Sequence, residues 1–234
     1  MSDPVILSVL IPVYNEAKTI VACIERVEAV PLDMELIIID DGSSDGTSEI
    51  LRRLASDRDP ARFRLMRQPF NRGKGAGLRR AIPLARGRVT VVQDADLEYD
   101  PRDFPMLVAP ILDGVCDVVY GSRRIHDGNR YPIDRYLMGS WFLTILTNLL
   151  FGSRLTDVPT CYKAYRTATL QSLELRCDGF EFCTEATAKT LKRGEQILEV
   201  PIRYTKRSVA EGKKVTWHDG LMGTLTLLKY RFFD

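Results

Sequence analysis

Apolar residues in the first half of the chain occur in short uninterrupted runs, and polar stretches with helical periodicity separate them. Such runs are typical of strands that are covered on both faces. The predicted strands span residues 8–13, 35–39, 63–66, 88–93 and 117–120. Helical periodicity follows at residues 16–30 and 47–54, with Asp45 or Ser44 available as the N-cap of the second helix. The alternation predicts an α/β fold in which helices flank a mainly parallel sheet.

The second half of the chain has a less regular pattern. It predicts helices at residues 133–151, 181–193 and 218–232, and strands at residues 161–165 and 199–203. The last of these helices is amphipathic. No internal repeat or low-complexity linker divides the chain. We therefore predict a single domain over residues 1–234 with a helical C-terminal extension.

Charged residues follow several of the predicted strands. They are Asp40, Asp41, Asp94, Asp96 and Arg123. Open α/β sheets bind ligands at the carboxyl ends of their strands. We therefore expect these side chains to share one edge of the sheet and to form the site.

The sequence Asp94-Ala95-Asp96 is the sharpest chemical signal. Residues at i and i+2 of an extended segment point to the same side, and two such carboxylates repel unless a cation compensates them. Mg²⁺ and Mn²⁺ are hard cations that take carboxylate oxygens together with substrate phosphates. Glu98, two residues further on, is a further candidate ligand. The alternative is a pair of solvated turn aspartates, but the position after an apolar strand favours the metal site.

The glycine-rich segment 71–77 does not fit the common phosphate-binding patterns. The third glycine of a dinucleotide fingerprint would fall at position 78, which is Leu78. We predict a tight loop that leads into a helix, with glycines that let the backbone approach a neighbour or a ligand.

Composition narrows the class of protein further. The net charge of +2 is too small to indicate nucleic acid as a partner. Residues 189–231 carry ten Lys or Arg against four Asp or Glu, which suits an anionic ligand such as a phosphate or a lipid surface, or else a solvated helical face. Five cysteines without CxxC spacing predict free thiols in a reducing compartment. The two histidines lie far apart in the sequence, which disfavours a nucleophilic triad.

Two of the predicted helices carry clustered apolar residues. The stretch 136–151 is shorter than the roughly 20 residues that a membrane-spanning helix needs, so we predict no transmembrane segment. The helix 218–232 places apolar residues beside basic ones, as interfacial helices do. Either helix could instead pack against the protein's own core.

Taken together, the motifs resemble glycosyltransferase family 2, and within it the dolichol-phosphate mannosyltransferases and related polyprenyl-phosphate glycosyltransferases. They occur in order and cover most of the chain. The matching segments are Ile11-Pro-Val-Tyr-Asn-Glu16, Asp40-Asp-Gly-Ser-Ser-Asp-Gly-Thr47, Asn71-Arg-Gly-Lys-Gly75, Asp94-Ala-Asp-Leu-Glu98, Gly121-Ser-Arg123, Thr160-Cys-Tyr-Lys163 and Glu211-Gly-Lys-Lys214.

The resemblance implies a GT-A type, Rossmann-like fold and an inverting, metal-dependent transfer of a hexose. It implies that residues 1–125 bind the nucleotide sugar and that residues 126–234 bind the acceptor. The implied nucleotide-sugar contacts are Pro12, Tyr14, Glu16, Ile39, Asp41, Asp94, Ala95, Asp96, Arg123, Arg207 and Lys213. Asp94, Asp96 and Arg123 would be catalytic, and Asp96 and Glu98 would hold Mg²⁺ or Mn²⁺. Arg123, Arg135 and Ser140 would bind the acceptor phosphate.

The resemblance also implies the partners of the chain. They are a GDP-mannose or UDP-glucose type donor, a polyprenyl or dolichyl phosphate acceptor, and peripheral contact with the cytoplasmic face of a membrane. A separate membrane subunit is a further candidate partner.

Two other functions stay open. A family member that glycosylates a sugar hydroxyl would need a carboxylate base, for which Glu181 and Glu185 are the candidates. A nucleotide-sugar-binding protein without catalysis is the second alternative.

Overall fold

The computed structural model describes residues 5–129, 135–207, 214 and 216–233. Lys213 and the side chain of Arg135 lie outside the described part of the chain. Within that part, the strands are β1 (Leu7–Val13), β2 (Met34–Asp40), β3 (Phe63–Arg67), β4 (Val89–Val92), β5 (Val118–Ser122), β6 (Lys163–Arg166) and β7 (Ile197–Pro201).

The strands form one sheet in the order β3-β2-β1-β4-β6-β5-β7. All described neighbours are parallel except that β6 runs antiparallel to both β4 and β5. The carboxyl ends of β1, β2, β4 and β5 therefore lie at one edge of the sheet, as the sequence pattern predicts. Because β6 comes from the second half of the chain, the two halves share a single sheet.

The described helices are α1 (Ile20–Glu28), α2 (Thr47–Ser56), α3 (Lys74–Ala81), α4 (Phe104–Leu112), α5 (Arg135–Phe151), α6 (Thr167–Ser172), α7 (Phe182–Lys192) and α8 (Trp217–Phe232). The predicted α/β architecture with a C-terminal helix is confirmed. The sequence pattern had indicated neither α4 nor α6.

The first helix begins later than predicted, at Ile20 rather than near residue 16. Asn15 adopts a left-handed backbone with φ of 50°, and the N–H of Glu16 donates to Thr47 Oγ1 over 3.0 Å. This long-range bond holds the residues before α1 in a turn beside the segment that follows β2. The second helix follows Gly46, and Asp45 accepts the N–H of Thr47 over 3.1 Å.

The prediction of a loop through residue 77 is wrong, because α3 already begins at Lys74. Gly75 and Gly77 lie within α3 and allow the helix to pack closely against other segments. A Cβ on Gly75 would lie 2.4 Å from the carbonyl oxygen of Cys177, and one on Gly77 would lie 3.1 Å from Ile39. The predicted approach of the backbone to a neighbour is thus confirmed.

The C-terminal helices form a small second core. Leu143 of α5, Ala188 of α7 and Leu227 and Tyr230 of α8 are buried together. The other face of α5 is exposed and apolar. Its members are Met138, Trp141, Phe142, Ile145 and Leu149. None of the helices in the described ranges is both long and apolar enough to cross a bilayer.

Candidate active site

Asp94 lies just beyond the carboxyl end of β4 and is paired with Lys74, the first residue of α3. Lys74 Nζ lies 2.5 Å from Asp94 Oδ1, and Cys161 Sγ lies 3.5 Å from the same ammonium. Burial raises the pKa of Asp94, but Lys74 outweighs it, and the net pKa lies below the ordinary value. Asp94 is therefore an ionised group whose charge is already compensated by the protein.

Asp96 is far less well compensated. Burial, with the charges of Asp94 and Glu98, raises the pKa of Asp96 to about 7. Arg207 Nη2 stands 3.6 Å from Asp96 Oδ2, which is beyond hydrogen-bond distance. Leu97, the next residue, has a left-handed backbone with φ of 63°, a conformation that costs any residue but glycine free energy and that concentrates at functional sites. A divalent cation would supply the charge that Asp96 lacks.

Glu98 differs from Asp96 in that the protein occupies both of its carboxylate oxygens. Tyr204 donates its hydroxyl to Oε2 over 2.7 Å, and the backbone N–H of Arg207 donates to Oε1 over 2.9 Å. Glu98 thus fixes the 204–207 segment beside the aspartates. Its role as a metal ligand stays a prediction, and coordination would have to use the remaining lone pairs of these oxygens.

The residues around Asp96 fit a divalent cation. In the described ranges, no three His, Cys, Asp or Glu side chains are arranged as a protein-only metal cage. Mg²⁺ commonly binds through one or two carboxylates and completes its shell with water and substrate phosphates. Asp96 is a suitable anchor for such an ion, and the phosphates of a donor would supply further ligands.

Because the negative charge of Asp96 is incompletely compensated, we expect Asp96→Asn to stabilise the metal-free protein at alkaline pH. The raised pKa means that ionisation of Asp96 destabilises the folded state as pH rises from about 4 to 7, and by a constant amount above that range. Without metal, we expect the variant to melt about 4 °C above the wild type at pH 8 and at the same temperature near pH 4. Calorimetry at the two pH values measures this difference. Equal melting temperatures at pH 8 would show that the site carries no such repulsion.

Glu16, which follows β1, forms ion pairs with two basic side chains from the C-terminal third of the chain. Arg207 Nη2 lies 3.1 Å and Lys214 Nζ lies 2.7 Å from Glu16 Oε1. Burial raises the pKa of Glu16, but the bonds from Arg207 and Lys214 lower it below the ordinary value. Lys214 also stacks on Tyr14, with its ammonium 5.6 Å from the ring centroid. Arg207 therefore joins Glu16 to Asp96, and the β1 and β4 ends share one cation.

Asp41, after β2, is buried and organises the loop that leads into α3. Its carboxylate accepts the N–H of Arg72 and that of Gly73, each over 2.8 Å, and the amide of Gln68 over 2.6 Å. Burial raises the pKa of Asp41. The predicted contact of Asp41 with a base or ribose remains a prediction, since the described donors already use both oxygens.

Three predicted donor contacts are less polar. Pro12 and Ile39 are register partners in β1 and β2, and Ile39 is buried. Ala95 is buried between the two aspartates. Their contact with a nucleotide sugar stays a prediction, and it would involve packing and backbone groups rather than charge.

Arg123, after β5, is held side-on by Asp157. Its Nε and Nη2 each lie 2.7 Å from an Asp157 oxygen, and its backbone N–H donates to the same carboxylate over 3.0 Å. The guanidinium also stacks on the ring of Tyr204 at 5.0 Å. Since Tyr204 donates to Glu98, Arg123 is connected through one side chain to the aspartate segment.

Ser140 lies near the start of α5 and is engaged by the arginine next to Arg123. Arg124 Nη2 donates to Ser140 Oγ over 3.0 Å, and Arg124 Cζ lies 5.6 Å from the ring centroid of Trp141. The predicted role of Ser140 in binding an acceptor phosphate is untested. The same prediction for Arg135 and the prediction that Lys213 contacts the nucleotide sugar concern side chains outside the described part of the chain.

The sequence of this chain matches the family model described as Glycosyl transferase family 2 over residues 8–173. The chain belongs to glycosyl transferase family 2. This glycosyltransferase is 32% identical over 215 residues to undecaprenyl-phosphate mannosyltransferase of Micrococcus luteus, a match that covers 87% of this chain and 85% of that protein. It is 29% identical over 218 residues to polyprenol monophosphomannose synthase of Mycolicibacterium smegmatis, covering 88% and 79% of the two chains.

The fold of the glycosyltransferase resembles solved structures of glucosyl-3-phosphoglycerate synthase from Mycobacterium tuberculosis. One of these, which contains Mn²⁺, UDP and phosphoglyceric acid, aligns with a TM-score of 0.71 and 22% identity, covering 100% of this chain and 80% of that one. At this identity the likeness concerns the fold, and the predicted GT-A type fold is confirmed.

Reasoning from motifs alone missed three side chains of the candidate site. Lys74 pairs with Asp94, Asp157 holds Arg123, and Tyr204 bridges Arg123 and Glu98. Lys74 lay inside a motif that matched the family, so its charge next to glycines was the available signal. Asp157 and Tyr204 lie in segments whose sequence gave no such signal.

Proposed function

We propose that this glycosyltransferase moves a hexose from a nucleotide sugar of the GDP-mannose or UDP-glucose type to a polyprenyl or dolichyl phosphate, with inversion at the anomeric carbon. The observation that carries the proposal is that Arg207 approaches both Asp96 and Glu16, so that the carboxylate suited to a cation and the basic C-terminal segment meet at one point. The names of the two relatives, both of which are polyprenyl-phosphate mannose enzymes, support the acceptor class.

A phosphate acceptor suits the chemistry of these side chains. A lipid monophosphate offers an anionic oxygen at neutral pH and needs no base to become a nucleophile. It does need cations, because two negatively charged substrates must be brought together. Arg123 and Arg207 are planar donors that can bond two phosphate oxygens each. In this proposal they neutralise the acceptor phosphate and the donor diphosphate.

The proposal includes Mg²⁺ or Mn²⁺ held by Asp96, with Glu98 as a second candidate ligand. When bound, such an ion stabilises negative charge on a departing diphosphate. Asp94 would keep Lys74 in place beside it. The residues of the chain bind and orient the two substrates, and Glu16 keeps Arg207 and Lys214 at the site.

The transfer experiment compares two acceptors that differ only in the phosphate. The pure chain is incubated with Mn²⁺, a labelled nucleotide sugar and either polyprenyl phosphate or the corresponding free polyprenol. We expect a labelled lipid from the phosphate alone. Lack of lipid product with GDP-mannose, UDP-glucose and related donors would contradict the proposal, and tight donor binding without turnover would favour a non-catalytic protein.

The hydroxyl-acceptor alternative predicts a different response to Glu181→Gln. Glu185 is fully buried and accepts Tyr230 Oη over 2.6 Å and the N–H of Cys177 over 2.7 Å, so it holds helices together. Glu181 is less buried and accepts the N–H of Gly179 over 3.1 Å. We expect kcat of Glu181→Gln to stay within about twofold of wild type, whereas loss of a general base would lower it by roughly a hundredfold or more. Steady-state kinetics separate the two.

We also propose that the exposed apolar face of α5 makes peripheral contact with the cytoplasmic face of a membrane. Leu149 of this face is 78% exposed. Arg124, which lies over the ring of Trp141, provides a basic group beside the face, and anionic lipid attracts such a group. The free cysteines suit a reducing compartment. A separate membrane subunit is the alternative occupant of this face.

Flotation with liposomes containing anionic lipid tests the contact. We expect the pure chain to float. We expect Leu149→Glu to lower partitioning to the liposomes at least about tenfold, since a charge replaces apolar area that the membrane would otherwise bury. Val115→Glu, which alters an exposed apolar residue before β5, is the matched control and should float as the wild type does. Wild-type chain that stays wholly in the aqueous fraction would contradict direct contact and favour a subunit.

A further inference from the structure

The orientation of Arg123 is set by a buried carboxylate with an anchored backbone. Asp157 is completely buried, and Arg123 is 16% exposed. Burial raises the pKa of Asp157, but the adjacent guanidinium outweighs it and holds the pKa below its ordinary value, so the pair is ionic. Two side-chain bonds and one backbone bond between the same two residues leave the guanidinium plane little rotational freedom.

The turn that carries Asp157 is in turn held by Glu199 of β7. Glu199 Oε2 accepts the N–H of Thr156 over 2.7 Å, and Oε1 accepts the N–H of Asp157 over 3.0 Å. Glu199 is the register partner of Tyr120 on β5, the strand that ends just before Arg123. One carboxylate on the neighbouring strand therefore fixes the backbone that presents Asp157.

The remainder of the turn is also fixed by side chains. Lys163 is buried, and its Nζ donates to the carbonyl oxygens of Val158 and Thr160, each over 2.6 Å. Ser122 Oγ lies 2.6 Å from Thr156 Oγ1 and ties the turn to β5. Because these bonds hold both ends of the turn, a displacement at Glu199 is transmitted to Asp157.

We propose that Glu199 is a positioning residue for Arg123, acting through the Thr156–Asp157 backbone. It does not itself touch a substrate. The proposal rests on the proposed function only in taking Arg123 as the group that meets phosphate. Displacement of a catalytic group by about 1 Å can cost about a hundredfold in rate. Glu199, which acts on Arg123 through Asp157, can therefore control the turnover without touching a substrate.

The experiment compares Glu199→Gln, which keeps one acceptor, with Glu199→Ala, which keeps none. We expect kcat to fall about tenfold and about a hundredfold respectively, with KM for the donor within about twofold of wild type. Asp117→Asn is the matched control: Asp117 pairs with Arg166 over 2.6 Å at the opposite end of β5. Its kcat should not change.

A second measurement does not depend on turnover. In ¹⁵N-labelled protein, we expect the Nε–H resonance of Arg123 to shift and its exchange with water to accelerate in both Glu199 variants, while that of Arg166 stays unchanged. An unaltered Arg123 resonance with wild-type kcat would overturn the proposal, as would a uniform change at both arginines, which indicates general loosening. If the wild type transfers no sugar to polyprenyl phosphate, the proposed function fails, whereas the resonance still decides the positioning role.

Discussion

Asp96→Ala is expected to abolish metal-dependent donor binding and to lower kcat/KM for transfer by at least about a thousandfold, or roughly 4 kcal/mol. Asp94 is neutralised by Lys74 and Glu98 is bonded to Tyr204 and Arg207, so Asp96 is the carboxylate that gains most from a divalent ion. Its removal would take away the proposed anchor of the cation that would neutralise the diphosphate. Titration calorimetry with donor, with and without Mn²⁺, and steady-state kinetics measure the two effects.

The control for this variant is Asp100→Ala. Asp100 follows the same segment but pairs with the exposed Arg102 over 2.5 Å, and we expect its removal to leave donor affinity within about twofold of wild type. Unchanged Mn²⁺-dependent affinity in Asp96→Ala would remove Asp96 from the site. Equal losses in both variants would indicate a general effect on the segment.

Arg207→Ala is expected to lower kcat/KM by about a hundredfold to a thousandfold. Arg207 contacts Glu16 and approaches Asp96. Its loss leaves Glu16 with one cation fewer and removes positive charge from the point where, in the proposed function, two anionic substrates meet. Arg207→Lys should recover only part of the activity, because an ammonium cannot bond two oxygens in one plane. Kinetics with both variants at fixed ionic strength provide the test.

Arg203→Ala is the matched control for that experiment. Arg203 lies four residues earlier, is 48% exposed and pairs with Asp103 over 3.1 Å, so it shares the segment but not the contact with Asp96. Its activity should stay within about threefold of wild type, as expected for a half-exposed ion pair. Equal activity of Arg207→Ala and Arg203→Ala would show that charge at position 207 does not act on the substrates.

The alternation of apolar runs and polar helical stretches was sufficient to predict the sheet and the edge at which the carboxyl ends of β1, β2, β4 and β5 meet. Each buried strand has apolar side chains on both faces, which only a helix-covered sheet can bury. The pattern could not reveal the place of β6. A four-residue strand pairs with whatever edge the tertiary fold offers, and here it lies antiparallel between β4 and β5. Such an insertion depends on contacts between distant segments rather than on local periodicity.

For the candidate site, the sequence indicated the position of some residues but not their charge environment. Asp94 and Asp96 stood out because paired carboxylates after a buried strand are costly without a cation. The difference in charge compensation between them was not predictable, since it depends on Lys74, which lies at the start of α3. Similarly, a glycine-rich segment favours a loop by propensity, but close packing against residues 177–178 explains Gly73 and Gly75. Tertiary contacts therefore decided what local propensity left open.

Crystals grown with Mn²⁺ and a nucleoside diphosphate, measured at the manganese absorption edge, would locate the cation directly. We predict one anomalous peak within bonding distance of Asp96 and of the diphosphate oxygens, at the carboxyl end of β4. A peak remote from Asp96, or a diphosphate bound away from this edge of the sheet, would contradict the assignment of Asp96 as the residue that anchors the donor through a metal ion.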